Sequence, residues 1–288
     1  MTVYCVYHHA DMDGKCSGAI VRQRHPDCVL VPMDYKDEFP ECLKGVGGDT
    51  IYIVDFSFDP EVMELLARNN RVIWLDHHKS AIEKARRTFP GLQRTDVAGC
   101  ELTWEYLNTA VKPPAAVTLI GSYDSWRWVR ESEAVQDNVL AFMAGCEQYP
   151  LWPDDPRWAR LLSKAFDAHL DLLQEGRVIR RYVAEQDLRM CKAAAYMDDD
   201  GWLVCNTNRA SKTVFDAFIK ERGYQPKGIR TWYRCCSGEI KVSLRSDDPQ
   251  VDCSVLASLH GGGGHRGAAG YTLPAITPEL LGNQKLNG

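Results

Sequence analysis

The chain has 288 residues, enough for two domains, and its 45% hydrophobic and 25% charged residues are ordinary for a globular protein. A formal net charge of −5 lacks the basic footprint of a protein that grips long nucleic-acid duplexes. Eleven cysteines at scattered spacings include no CxxC pair, which disfavours a structural zinc site and suits reduced thiols used as small apolar residues.

Val3–Tyr7 is an apolar run predicted as a strand; it leads into HHADMDG (His8–Gly14) and a helix over Gly14–Arg24 that buries Ala19 and Ile20. Cys28–Met33, Thr50–Val54 and Arg71–Leu75 read as further strands. Pro60–Asn69 reads as a helix, with proline at its first position and an acid in its first turn. Strands alternating with helices at this spacing predict a parallel sheet with helices on its faces. Gly99–Leu107 and Ala115–Tyr123 read as helices, and Ala159–Gln186 as one long amphipathic connector. From Ala193 onward the pattern turns to strands: Ala194–Met197, Trp202–Asn206, Ile229–Cys235 and Glu239–Arg245, with hairpin turns at Asp198–Gly201 and Ser237–Gly238. A last helix, Cys253–Leu259, runs into Gly261–Gly264, and Pro274–Gly288 reads as a disordered tail.

The expected fold is therefore α/β: a parallel-sheet domain over 1–130, a helical connector over 131–190, a smaller α/β domain over 191–275 and a tail over 276–288. No basic-then-apolar segment precedes His8 and no apolar run approaches membrane-spanning length, so a cytoplasmic protein without membrane contact is expected.

Three of the predicted strands end in acids: Asp11 and Asp13 after the first, Asp55 after the third, and Asp76-His77-His78 after the fourth. Asp11 and Asp13 would repel each other if both were ionised and close together, so a cation between them is expected. Strand C-termini of an open parallel sheet line its ligand crevice, which lets these groups converge. Carboxylates mixed with imidazoles favour Mn²⁺ or Mg²⁺ over a thiolate-loving ion, and a pair of such ions suits in-line displacement at a phosphoester. Each element alone has a plain explanation, since an Asp at a strand end commonly caps a helix. Their repetition at one structural place is what points to function. Strand alternation sets His8 and His9 on opposite sides, so one of them reaches the metal. Trp126 and Trp128, with Arg127 and Arg130, read either as a base-stacking wall or as a packed cluster supporting Asp124. Asn206, Asn208 and Arg209 read as a turn.

HADMDG (His9–Gly14), the aspartate of IVDFS (Asp55) and LDHHKS (Leu75–Ser80) resemble motifs I to III of the DHH phosphoesterase superfamily, and IGSYDSW places Asp124 where its motif IV is expected. VSLRS (Val242–Ser246) and GGGGHRGAAG (Gly261–Gly270) resemble the GGGH domain that follows the DHH domain in RecJ-type exonucleases and nano-RNases. The resemblance implies one metal held by a motif I histidine, taken here as His9, with Asp11 and Asp55. It implies a second held by Asp13, the bridging Asp55, His77 and Asp124. His78 would face the scissile phosphate, and Asp76 would orient an imidazole. Arg245, Gly262, Gly263, Gly264 and His265 would bind substrate; independently, consecutive glycines expose backbone N–H groups that can cradle an anion.

The implied activity is hydrolysis of short oligoribonucleotides to mononucleotides by two Mn²⁺ ions, with Mg²⁺ as the alternative. The implied partner is a short RNA or nucleotide phosphoester, not a long duplex, and a homodimer is compatible with it. Rival substrates are a cyclic dinucleotide, pAp or polyphosphate. A rival of another class is a non-catalytic nucleotide-binding module, against which every proposed ligand retains a coordinating side chain.

Overall fold

The structure, a computed structural model, describes residues 1–163, 165, 167–277 and 280, so most of the expected tail over 276–288 lies outside the described residues. The chain divides into two compact units, Met1–Arg180 and Arg181–Gly288.

The first unit contains β1 (Val3–His8), α1 (Met12–Arg24), β2 (Val29–Met33), β3 (Thr50–Val54), α2 (Pro60–Asn69), β4 (Arg71–Asp76), α3 (Lys79–Lys84) and β5 (Gly91–Gln93). Helices α4 (Gly99–Leu107), α5 (Ala115–Asp124), α6 (Glu133–Cys146) and α7 (Arg157–Leu161) follow, and α8 (Leu170–Ala194) spans the division. The strands form one parallel sheet in the order β2-β1-β3-β4-β5. Period-two alternation sorts their side chains between two covered faces. Val6, Ile51, Ile53, Val72 and Trp74 pack with Met63 and Leu66 of α2. Cys5, Tyr7, Tyr52, Val54 and Leu75 pack on the other face with Val21 of α1. Beyond α1 a helical layer is sealed by Ile20, Trp104, Ile120, Phe142, Leu161 and Leu172. The strand order reverses direction between β1 and β3, and in such sheets the crevice at that reversal is the ligand site.

The single helix expected over Ala159–Gln186 is two. Helix α7 ends at Leu161, and the chain turns with Ser163 Oγ accepting the Ala165 N–H and Asp167 O accepting the Leu170 N–H before α8 starts. Helices α6, α7 and the start of α8 belong to the first unit through Phe142, Trp158 and Leu172.

The second unit holds the rest of α8, β6 (Ala195–Met197), β7 (Trp202–Asn206), α9 (Asp216–Arg222), β8 (Gly228–Arg234), β9 (Ile240–Arg245), α10 (Cys253–Ser258), β10 (Gly263–His265) and β11 (Ala268–Leu273). Its mixed sheet runs β10-β11-β9-β8-β7-β6, parallel only between β7 and β8. The turn at Asp198–Gly201 closes the β6–β7 hairpin, where Asp198 accepts the Trp202 N–H through its carboxylate. Gly263 and Gly264 of the glycine run lie in β10, the edge strand of this sheet, so among the described residues N–H groups of β10 that do not face β11 have no strand partner. Among the described residues no helix is long and apolar enough to cross a membrane.

Candidate metal centre

Strand β1 ends at His8, and α1 begins at Met12 with Asp11 as its cap, accepting the Gly14 N–H at 2.9 Å. Gly14 is required there, because a Cβ would meet the His8 carbonyl oxygen at 2.0 Å. The tight passage lays Asp11 and Asp13 over the end of the sheet. Asp13 is buried, and its two carboxylate oxygens accept the Gly99 and Cys100 N–H groups at the start of α4, each at 2.7 Å.

Asp55 follows β3 with φ +50, a left-handed conformation uncommon outside glycine and a source of backbone strain. Its side chain is 1% exposed, and neither carboxylate oxygen has a hydrogen-bond partner. Burying an unpaired carboxylate costs several kcal/mol, roughly, unless a cation or a proton compensates it. Nε2 of His77 lies 3.2 Å from Asp55 Oδ1, 3.3 Å from Asp124 Oδ2 and 3.6 Å from Asp13 Oδ2. On the other side, His8 Nδ1 is 2.8 Å from Asp11 Oδ2 and 3.9 Å from Asp55 Oδ2, and it has no aligned hydrogen bond.

Among the described residues, three donor groups thus have ligand atoms within 4.8 Å of one another: His8–Asp11–Asp55, Asp13–His77–Asp124 and Asp55–His77–His78. Adjacent ligands of one hard divalent cation sit about 3 Å apart. The carboxylate and imidazole set fits Mn²⁺ or Mg²⁺ by chemistry, and the orphaned Asp55 oxygens fit it by position.

The crowding shifts the acidities of the cluster. Burial, then the charges of Asp13 and Asp11, drive Asp55 well above the usual carboxylate range. Burial followed by the same two neighbours pushes Asp124 up to about 7. Burial opposes ionisation of Asp11, but the His8 ring and the Gly14 N–H outweigh it and hold its pKa down. Asp11 in turn raises His8, against the effect of burial.

Asp76 is fully buried, and its Oδ1 accepts the His77 and His78 N–H groups and lies 2.7 Å from His78 Nδ1. This fixes the ring so that Nε2 points away from Asp76, and it raises the His78 pKa. The structure therefore brings together Asp11, Asp13, Asp55, His77, His78 and Asp124, with Asp76 behind them.

His9, the residue expected from the sequence, does not join them; of the two histidines it is His8 whose ring lies beside Asp11 and Asp55. Strand β1 still pairs at His8, whose ring turns into the crevice. His9, one residue on, takes the opposite side, donates its N–H to Met33 O and sets Nε2 3.7 Å from Asp37 Oδ2.

The expected second-unit residues gather on the sheet of that unit. Ala268 of β11 is in register with Arg245 of β9 and His265 of β10, so those two side chains share one face of the sheet. Arg245 is half-buried and His265 exposed; Gly263 has open space beside it, while Gly262 and Gly264 pack tightly on β11.

Sequence reasoning did not find the N–H pair of Gly99 and Cys100, because nothing in Ala-Gly-Cys announces a partner 86 residues away. It also missed the turn after β2. There Asp34 Oδ1 lies 3.7 Å from His8 Nε2, and the Tyr35 ring centroid lies 5.5 Å from that of His8. The signal was present, since VPMD is a fourth strand that ends in an acid.

Fold and site together define a doubly wound α/β protein with a carboxylate–imidazole cation centre at its topological reversal. The chain has the fold of the DHH-domain proteins. Its structure matches the DHH domain of a member of a family of ribosomal proteins with a TM-score of 0.52 at 12% identity, covering 97% of this chain and 84% of that one. It matches the pGpG-specific phosphodiesterase PggH of Vibrio cholerae with a TM-score of 0.50 at 10% identity, covering 95% and 93%. By sequence it is 22% identical over 312 residues to the oligoribonuclease NrnB of Bacillus subtilis, covering 97% of this chain and 75% of that protein. It is 23% identical over 245 residues to an uncharacterized protein of Acanthamoeba polyphaga mimivirus, where the match covers 82% of this chain but spans only 56% of that protein. No family model matches the chain.

Proposed function

We propose that the protein is a metal-dependent phosphoesterase that hydrolyses short oligoribonucleotides to mononucleotides. The observation that carries this reading is the buried, unpartnered Asp55 carboxylate, with one oxygen towards His8 and the other towards His77. His8, Asp11 and Asp55 would hold one divalent cation, and Asp13, Asp55, His77 and Asp124 the other, with Mn²⁺ the preferred ion. Such ions supply Lewis acidity to the phosphoryl oxygens and an activated water.

The remaining work falls to side chains. Asp13 is held in place by the α4 N–H pair, so its position does not depend on the cation. His78 is oriented by Asp76 and kept protonated to a higher pH than a free imidazole, so it can hold a proton for the leaving oxygen or steady the charge developing on phosphate. Arg245 and His265, on one face of the second unit's sheet, are assigned as anion contacts, with the N–H groups of Gly262–Gly264 beside them.

The names of NrnB and PggH, an oligoribonuclease and a phosphodiesterase for the linear dinucleotide pGpG, favour a short linear substrate over a cyclic one. Eleven cysteines without a disulfide among them suit a cytoplasmic setting. The test is turnover with Mn²⁺ on a panel of 5′-labelled RNA from dimer to hexamer, a cyclic dinucleotide, pAp and polyphosphate. Release of mononucleotides from the linear dimer is expected. Cleavage of the cyclic dinucleotide, pAp or polyphosphate without the dimer overturns the substrate, and no turnover of any of them overturns the activity.

A further inference from the structure

A pocket of about 360 Å³ opens beside the metal centre, between the start of α2 and α3, and His78 belongs to both. Its walls are aromatic: Tyr35, Phe58, Trp74 and Phe89. Trp74 is a fixed floor, because its Nε1 donates to Phe56 O at 3.0 Å and Phe89 meets it edge-on at 5.9 Å. Tyr35 stands at the boundary. The residue is 53% exposed, and its ring centroid lies 6.1 Å from that of His78 and 5.5 Å from that of His8.

Polar groups at the rim are uncommitted. Among the described residues, the side chains of Ser57, Asp59, Ser80 and Lys84 make no hydrogen bond or ion pair. Asp59 stands at the cap position of α2 without capping it. These groups offer a carboxylate acceptor, two hydroxyls and an ammonium donor around flat apolar walls.

We infer that this pocket receives a nucleobase of the substrate, one group away from the phosphate at the metal centre. The inference rests on the phosphoester reading and adds to it. A base is a planar aromatic plate with donors and acceptors on its edge, which matches aromatic walls with free polar groups at the rim. A base-free polyphosphate would leave those walls bare. The pocket size suits one nucleoside, so recognition is of a single unit at a chain end, as a substrate of very few nucleotides requires.

Calorimetry on the full chain with Mn²⁺ tests this by comparing adenosine and guanosine 5′-monophosphates with ribose 5-phosphate. At least one nucleotide should bind about tenfold or more tightly than the base-free sugar phosphate. Ala81→Leu, which fills the pocket from α3, should remove that difference and leave ribose 5-phosphate binding unchanged, which also shows that the variant is folded. Equal binding of all three ligands to the wild-type protein overturns the pocket and leaves the phosphoester reading standing. Binding of none overturns both, and a folded Ala81→Leu protein that keeps the nucleotide preference overturns the pocket.

Discussion

Asp55 Oδ1 lies 3.2 Å from His77 Nε2, at the point where β3 and β4 end side by side. The second oxygen of the same carboxylate faces His8 from the neighbouring β1. One residue thereby joins the donors of three adjacent strands, and its left-handed backbone is part of how it reaches both. A buried acid with two unsatisfied oxygens is unstable unless something positive is added, so this pair of contacts frames the first expectation.

Asp55→Asn should abolish the thermal shift that Mn²⁺ produces and remove turnover. Without metal the variant should be more stable than the wild-type protein by about 1–3 kcal/mol, because a crowded, unpaired carboxylate is replaced by an amide. Asparagine tolerates the left-handed conformation, so the backbone does not confound the comparison. Chemical denaturation with chelator, then with Mn²⁺, reads both effects; a destabilised metal-free variant would contradict the assignment.

The two histidines of the first motif should separate cleanly. His8→Ala should weaken metal binding by about a hundredfold or more, beyond the usual loss from an outer-shell partner. His9→Ala removes a half-exposed ring outside the centre and should stay within about twofold. Metal titrations of both variants check this, and the reverse order would restore His9.

Asp76→Asn should cost about 10–100-fold in kcat with a smaller change in metal affinity. It should also lower the His78 pKa, because the carboxylate that raises it is gone. The pH–rate limb belonging to His78 should move to lower pH, and a ring-proton titration followed by NMR should move with it. An unchanged limb accompanying a loss of rate would leave Asp76 with a packing role alone.

Acidity should act in opposite directions with and without metal. Asp55 and Asp124 have folded-state pKa values raised above their unfolded ones, Asp124 to about 7. The native state therefore binds more protons than the unfolded chain between the ordinary carboxylate range and about pH 7, and metal-free stability should fall as pH rises through that window. His8 and His78, also raised, act in the same direction: their contribution is complete below the unfolded histidine pKa and lost as pH rises through the folded value. Asp11, lowered, works against them at acid pH. Metal requires the deprotonated ligands, so the Mn²⁺-induced rise in Tm should be larger at pH 8 than at pH 6. Melting curves at the two pH values, with chelator and with Mn²⁺, measure it.

Sequence by itself determined the alternation of strands and helices in the first unit, because a two-residue period and a helical period leave separate marks on a half-buried chain. It also determined that Asp11, Asp13, Asp55, Asp76, His77 and His78 sit at strand ends, which is a local property. Tertiary structure decided the rest. Which of His8 and His9 turns its ring into the crevice depended on where β1 stops pairing with β2, and a shift of one residue reverses the side a ring faces. The backbone pair that holds Asp13 comes from α4, and the Tyr35 wall from the turn after β2. The Asp13 contact joins segments whose own residues carry no trace of their partners, because a backbone N–H is present at every non-proline position. Likewise, the glycine run reads locally as a loop. It became an edge strand only because β11 was there to pair with it.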